Sequence, residues 1–157
     1  MSQPVEQTTT GAGRQFLTFT LGKEEFGFDL LKVQEIRGYT AVTPIPNAPP
    51  HVRGVMNLRG AVVPVVSLRE KFGMVPVEPD KFTVIVLVSV GSKVIGLVVD
   101  AVSDVLSVQA DAIAPPPDLG AQLDTSYMTG LAKAAERLLI LVDIDQMLGV
   151  EAASLLS

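Results

Sequence analysis

The sequence predicts an all-β fold with short helices, built from two related halves. Three observations support this: strand-length runs rich in Val, Ile and Leu, Gly-containing turns between pairs of runs, and the same order of elements occurring twice. Each half has only about 65 residues, which is marginal for an independent core. We therefore expect two small β-barrels of about five strands each, packed against one another.

Composition limits the classes of function. The chain has 157 residues, 48% of them apolar and 18% charged, which suits a packed core and excludes disorder for most of the chain. Its net charge of -5 provides no overall basic field that would attract nucleic acid. It has no Cys, which excludes disulfides, thiolate catalysis and Cys-based zinc sites, and fits a reducing compartment.

No segment has the features of a membrane anchor or signal peptide. The N-terminus lacks a basic start followed by an apolar run. The longest apolar stretch, 82–99, is interrupted by Gly91, Ser92 and Lys93, whereas a span needs about 20 continuous apolar residues. We predict a soluble cytoplasmic protein without membrane insertion, with a flexible tail over 1–14.

The first half has two predicted hairpins and two predicted short helices. One hairpin covers 16–28, and the other joins strands over 52–58 and 61–66. Asp29 is a potential cap for a helix from Leu30 to Ile36.

Two further features mark the end of that half. Ser67 opens a capping-box helix that Gly73 terminates. Pro64, inside the last strand, predicts a sheet edge or a bulge.

The second half has the same order. A hairpin is predicted over 82–99, and Asp100 caps a short turn reaching Val105. After a Pro-rich link come strands over 127–131 and 138–142, and a helix opened by Asp143.

Offsets of 69 and then 76 residues align the halves. The first offset pairs Gly22 with Gly91, and the second pairs Ser67 with Asp143. We predict one barrel over 15–80 and another over 81–150, with terminal elements free to cross over, and a C-terminal tail over 151–157.

The sequence contains no convincing active site. His51 is the single histidine, and no phosphate-binding loop or nucleophile elbow is present. Asp100, Asp104 and Asp143 are best explained as capping or solvated residues. We predict no enzymatic activity, cofactor or metal. Two alternatives stay open: a hydrolase using these aspartates, and a carrier of a small ligand inside the barrels.

Two segments are candidates for binding a partner. In the turn of Asn57-Leu58-Arg59-Gly60, Asn-Gly or Asp-Gly would be less costly, so Arg59 is expected to contact a carboxylate or backbone carbonyls. In the predicted helix, Val33 and Ile36 share a face, as core or as interface, and Glu35 lies beside it like an interface rim residue.

The sequence resembles the CheW family of chemotaxis adaptors over about residues 15–150. Six blocks in the family's order carry the resemblance: 16–22, 31–38, 55–60, 62–69, 96–106 and 138–144. The resemblance implies two SH3-like barrels packed together and no catalysis. It also implies an adaptor that couples the histidine kinase CheA, through its regulatory domain, to the cytoplasmic hairpin tips of transmembrane chemoreceptors. Such an adaptor would lie at the inner face of the membrane in receptor arrays.

The resemblance also implies a receptor-binding site. It includes the positions of Val33, Glu35 and Arg59, and that of Gly54, whose part could be backbone packing alone. The turn motif adds Asn57 and Leu58. The kinase-binding residues are not assigned. The alternative within this family is the regulatory CheW-like domain of a kinase or of a CheV-type protein.

Overall fold

A computed structural model describes residues 13–115, 127–134 and 136–155 as a mostly β protein. The elements are, in chain order: β1 (Gly13–Leu21), β2 (Glu24–Asp29), β3 (Val33–Gly38), β4 (Val52–Leu58), β5 (Ala61–Ser67), α1 (Leu68–Lys71), β6 (Val84–Val90), β7 (Lys93–Val99), β8 (Ala101–Gln109), β9 (Ile113–Ala114), β10 (Met128–Ala134), β11 (Arg137–Val142) and α2 (Ile144–Leu155). Short 3₁₀ turns cover Leu30–Lys32 and Ala110–Ala112. Within the described ranges, no helix is long and apolar enough to cross a membrane.

The strands form two sheets. One has six strands in the order β8-β1-β2-β11-β10-β9, and the other has five in the order β3-β6-β7-β5-β4. The predicted all-β class with short helices is therefore confirmed. Each sheet takes strands from both halves of the sequence. The first hairpin of the first half, β1–β2, lies in the six-stranded sheet with β8 to β11, whereas the first hairpin of the second half, β6–β7, lies in the five-stranded sheet with β3 to β5.

The pairing of strands repeats in register. The parallel pair Val65–Gly96 in one sheet corresponds, at the offsets of 76 and 69, to Leu141–Gly27 in the other. The antiparallel pair Ile36–Val86 corresponds in the same way to Val105–Leu17. Since β-rich runs alone would not reproduce registers, this agreement supports two related halves that exchange their first hairpins. The residue boundaries predicted for the halves stay a prediction.

The apolar side chains form one central core and two smaller ones. Alternation along β5, β6 and β11 separates them: Ile85 and Leu87 belong to a small core of the five-stranded sheet, whereas Val86 and Val88 join the central core. The central core also takes the stacked rings of Phe19 and Phe28 from the six-stranded sheet. Its members come from both sheets, so burial of this seam holds the sheets together.

The chain crosses between the sheets at Asp100, where an ion pair supports the connection. Arg69 of α1 donates from Nε and Nη2 to the two carboxylate oxygens of Asp100, at 2.9 and 2.7 Å. Asp100 also accepts a hydrogen bond from the amide of Gly22 in the β1–β2 turn, at 2.7 Å. The end of the five-stranded sheet at Val99 is thus tied to the turn end of the first hairpin.

Several predicted local signals have the expected structure. Asp29 accepts a hydrogen bond from the amide of Leu31, Ser67 from that of Glu70, and Asp143 from that of Gln146. Gly73 ends α1 with a φ of 83°, a conformation that favours glycine.

Three predictions are wrong. The helix from Leu30 to Ile36 is only a 3₁₀ turn over Leu30–Lys32, because Val33–Gly38 pairs with β6 as a strand. The turn predicted from Asp100 to Val105 is the beginning of β8, which pairs with β1. The edge predicted for Pro64 is wrong because β5 is an interior strand, and the alternative, a bulge, occurs beside it on the partner strand: the β4–β5 register shifts between Val52 and Gly54.

Both predicted tails include residues that the structure places in regular elements. Residues 1–12 and 156–157 lie outside the described residues. The first strand begins at Gly13, and α2 continues to Leu155.

Candidate partner-binding site

The β4–β5 turn presents Arg59 at the surface. Arg59 and Gly60 have φ values of 52° and 90°, as the two central residues of a type I′ hairpin turn require. Asn57 stabilises the turn because its Oδ1 accepts a hydrogen bond from the Gly60 amide at 3.0 Å. A positive φ is unfavourable for arginine, so the side chain rather than the turn geometry accounts for Arg at this position.

Strand β3 supplies the other side chains of the site. Val33, Glu35 and Arg37 are half-buried, whereas Gln34 and Ile36 are exposed. A strand places alternate side chains on the same face, so Glu35 and Arg37 are neighbours. The predicted helix does not exist, but the register shift between Val33 and Glu35 places Val33 opposite Val88 and Ile36 opposite Val86, on one face of the sheet. Val33 packs against the central core, whereas Ile36 is 43% exposed.

Glu35 binds two arginines. Nη2 of Arg59 donates to Oε1 at 2.8 Å, and Nη1 of Arg37 donates to Oε2 at 2.9 Å. Glu35 lies on β3 and Arg59 follows β4, which are the two edges of the five-stranded sheet. The ion pair therefore links the two edges of the sheet through their side chains at this point.

The site is ionised and carries a net positive charge at neutral pH. Hydrogen bonds from Arg59 and then Arg37 lower the pKa of Glu35, and the bond to Glu35 raises the pKa of Arg59. The Arg59 side chain is 68% exposed, and a guanidinium has five N–H donors. It is therefore suited to bind a partner's carboxylate while Glu35 fixes its direction.

Gly54 lies on the same strand as the turn but is buried. A Cβ atom built at this position would lie 2.1 Å from the carbonyl oxygen of Thr43, and the φ of Gly54 is 146°. The amide and carbonyl groups of Thr43 and Val55 bond to each other at 2.9 Å, which holds the segment after β3 against β4. Gly54 thus permits a close backbone contact and is not a surface residue.

The structure brings together some of the predicted site residues. Glu35 and Arg59 are in contact, and Asn57 and Leu58 belong to the same turn region. Val33 precedes Glu35 on β3. Arg37 was not among the predicted residues. The alternation of Glu35 and Arg37 would have identified it, but only if the segment had been interpreted as a strand.

The aspartates considered for catalysis have structural partners. Asp100 binds Arg69, Asp143 caps α2, and Asp104 accepts hydrogen bonds from Thr18 and Arg137. No cluster of three or more His, Cys, Asp or Glu side chains that could hold a metal ion occurs in the described part of the chain. These contacts account for the aspartates without a reaction.

Comparison with known proteins identifies the family. Residues 15–152 match the family model described as a CheW-like domain. The chain belongs to the CheW family. It is 52% identical over 143 residues to the chemotaxis protein CheW of Klebsiella aerogenes, covering 91% of this chain and 86% of that relative. It is 42% identical over 138 residues to the CheW of Rhizobium meliloti, covering 88% and 89%.

A solved structure supports the CheW fold. The crystal structure of the scaffolding protein TtCheW from Thermoanaerobacter tengcongensis matches with a TM-score of 0.80 and 30% identity, over 86% of this chain and 92% of that one. CheW proteins are chemotaxis scaffolds, so the two sheets described above form the fold of a scaffold family.

Proposed function

We propose that this CheW-family chain is a non-enzymatic adaptor that couples the CheA histidine kinase to the cytoplasmic hairpin tips of transmembrane chemoreceptors. In this role it transmits the state of the receptor to the kinase and helps to assemble the signalling array. It acts in the cytoplasm, at the inner face of the membrane, through its contact with the receptors. Its relatives are named chemotaxis proteins, which supports the pathway.

The observation that carries the receptor contact is the cluster of Arg59, Glu35 and Arg37. The exposed guanidinium of Arg59 has its direction fixed by Glu35, which lies on the opposite edge strand of the sheet. A helical receptor tip that presents a carboxylate would find a directional hydrogen-bond donor here. The contact is a protein surface and requires no cofactor.

Exposed apolar side chains on the same sheet add surface for a helix. Ile36 is 43% exposed and Val62 is 62% exposed. Ile36 lies opposite Val86 and Val62 alternates with Val63, so both side chains are on the central-core face of the sheet and not on the face of Glu35. A partner helix with an apolar stripe matches these two side chains, separately from the contact with Arg59.

Val33 and Gly54 hold in place the backbone that carries the site. Val33 anchors β3 to the central core, and Gly54 holds the segment of Thr43 against β4. Substitutions at these two positions would act on receptor binding through the backbone that carries Glu35 and Arg59. We assign direct receptor contact to Arg59 and its turn, and a positioning role to Val33 and Gly54.

Retention of the kinase on receptor fragments tests the proposal. Receptor cytoplasmic fragments are immobilised, and the amount of bound CheA is measured with and without the full chain. We expect the chain to increase CheA retention several-fold, and Arg59→Glu to remove most of that increase. Arg14→Glu is a matched control, since Arg14 is also exposed and pairs with one carboxylate, that of Asp29. Equal retention with and without the chain would contradict the proposed function.

A further inference from the structure

The two places where the chain crosses between the sheets are each held by an ion pair. One crossing lies between β2 and β3, where Nζ of Lys32 donates to Oδ2 of Asp145 at 2.6 Å. The other lies between β7 and β8, where Arg69 donates twice to Asp100. Arg69 and Asp145 are the second residues of α1 and α2 and are counterparts at the repeat offset of 76. In both pairs a helix therefore binds the crossing that follows a hairpin from the other half.

The parallel strand pairs bring these side chains together. In the register of β5 with β7, Arg69 follows level with Asp100. In the register of β11 with β2, Asp145 follows level with Leu31, beside Lys32. Each parallel pair joins a strand of one half to a strand of the other, so each ion pair depends on the exchange of hairpins. Had each half kept its own hairpin, the same register would place Arg69 beside Lys32. It would also place Asp145 beside Asp100.

The charges of the two pairs are in opposite order. The helix contributes the cation in the Arg69–Asp100 pair and the anion in the Lys32–Asp145 pair. Exchange of hairpins therefore brings opposite charges together at both crossings. Pairing within a half would instead bring two cations together at one crossing and two carboxylates together at the other. Like charges that face each other are destabilising, and such repulsion is one way in which proteins reject a wrong partner.

The buried residues of the two hairpins follow one pattern. Gly27 and Gly96 are repeat counterparts, and each lies between two apolar side chains that are completely buried. The flanking residues are Phe26 and Phe28 in β2, and Ile95 and Leu97 in β7. Both hairpins thus present the same alternation to a receiving strand, and the charge at the crossing is the feature that changes sign between them.

We propose that the ion pairs Arg69–Asp100 and Lys32–Asp145 select the exchanged pairing of hairpins against a fold in which each half closes on itself. The forked Arg69–Asp100 pair has the larger share, because its side chains are 17% and 26% exposed, against 38% and 50% for Lys32 and Asp145. Selection differs from simple stabilisation because it acts mainly by destabilising the competing pairing. This role concerns folding and does not depend on the proposed adaptor function.

Pairs of introduced cysteines report which pairing a refolded chain has, since the chain contains no Cys. Gln15 lies opposite Ser107 across the β1–β8 pair, so Gln15→Cys with Ser107→Cys reports exchanged hairpins. Gly38 is the repeat counterpart of Ser107, and no atom lies within 4 Å of its Cβ position. Gln15→Cys with Gly38→Cys therefore reports pairing of β1 with β3 of its own half, because these two residues lie in different sheets of the exchanged fold.

Two sets of charge substitutions separate selection from stabilisation. Arg69→Asp with Asp100→Arg keeps opposite charges together in the exchanged pairing, but it also makes both contacts of the competing pairing attractive. Adding Lys32→Asp and Asp145→Lys reverses the second pair as well, so that the competing pairing is again repulsive. Both sets lose the hydrogen bond that Gly22 donates to Asp100, so comparison of the two cancels that loss.

Each full-length chain is unfolded in urea, refolded by dilution and then oxidised, and the fraction of monomer that carries each disulfide is measured. The two-residue set should raise the fraction that joins positions 15 and 38 by about fivefold over the chain with its original charges. The four-residue set should return that fraction to the original level. A fraction that stays at the original level with the two-residue set, or that is equally high with both sets, would overturn the proposal. Failure of both sets to form the disulfide between positions 15 and 107 would also overturn it, because the original order of charges would then be needed for stability alone.

Discussion

Arg59 and Glu35 form an ion pair of 2.8 Å between the two edges of the five-stranded sheet. The pair joins a strained hairpin turn to the strand that lies furthest from it in the sheet. It therefore fixes the direction of an exposed guanidinium and links the two edges of the sheet through their side chains. This relationship underlies the receptor contact that we propose.

Reversing the charge of Arg59 tests that contact. Arg59→Glu should weaken binding to a receptor hairpin fragment by about tenfold or more, because it places a carboxylate beside Glu35 and repels an acidic partner. Affinity is measured by titration with the fragment, and circular dichroism is expected to show an unchanged fold. Arg59→Lys keeps the charge but loses the planar guanidinium, so its affinity for the fragment should lie between those of Arg59→Glu and the unsubstituted chain. An affinity equal to that of the unsubstituted chain would remove Arg59 from the site.

Substitutions at Val33 and Ile36 test whether Val33 acts through packing in the core. Val33→Asp puts a carboxylate against the central core and should reduce the free energy of unfolding by about 2 kcal/mol. Ile36→Asp, at an exposed position of the same strand, should cost less than about 0.5 kcal/mol. Urea denaturation of both variants gives the comparison. Equal costs would mean that Val33 is not anchored in the core.

Gly54→Ala tests the close backbone contact. The added Cβ would lie 2.1 Å from the Thr43 carbonyl oxygen, so the segment after β3 must move away from β4. We expect a loss of about 3 kcal/mol in the free energy of unfolding. Gly38→Ala is the matched control, because no atom lies within 4 Å of its Cβ position. A small effect at Gly54 would show that the segment yields easily.

Acid stability depends partly on Asp104. Hydrogen bonds from Arg137 are the main cause that lowers its pKa from 3.8 in the folded chain. A lowered pKa contributes stability above that value, and the contribution is lost as the pH falls through the folded pKa. The unsubstituted chain should therefore lose more stability than Asp104→Asn as the pH falls from about 6 to about 2. Urea midpoints measured across this range check the difference, and parallel curves for the two proteins would contradict it.

The sequence predicted the fold class and the repeat because both depend on local patterns. Alternating apolar residues, Gly turns and caps such as Ser67 and Asp143 determine where strands and helices begin and end. The exchange of hairpins between the halves was not predictable in detail, since it depends on which edges pair after collapse. The pairing of Val33–Gly38 with β6 overrode a local helix signal at Asp29 for the same reason.

The candidate site was only partly predictable. The cost of Arg in a Gly-containing turn identified Arg59, and the position of Gly54 was implied by the resemblance. The partner of Arg59 was not predictable, because Glu35 is 24 residues away and on the opposite edge of the sheet. The close contact of Thr43 with Gly54 was likewise not predictable, because only the structure shows that the Thr43 carbonyl occupies the space of the missing Cβ.

Reconstituted signalling tests the central claim most directly. CheA and a receptor cytoplasmic fragment are combined with or without the full chain, and kinase autophosphorylation is measured in both signalling states of the receptor. An adaptor predicts that the rate follows the receptor state only when the chain is present, and that Arg59→Glu abolishes this dependence. Autophosphorylation that responds to the receptor equally well without the chain, or not at all with it, would contradict the adaptor function.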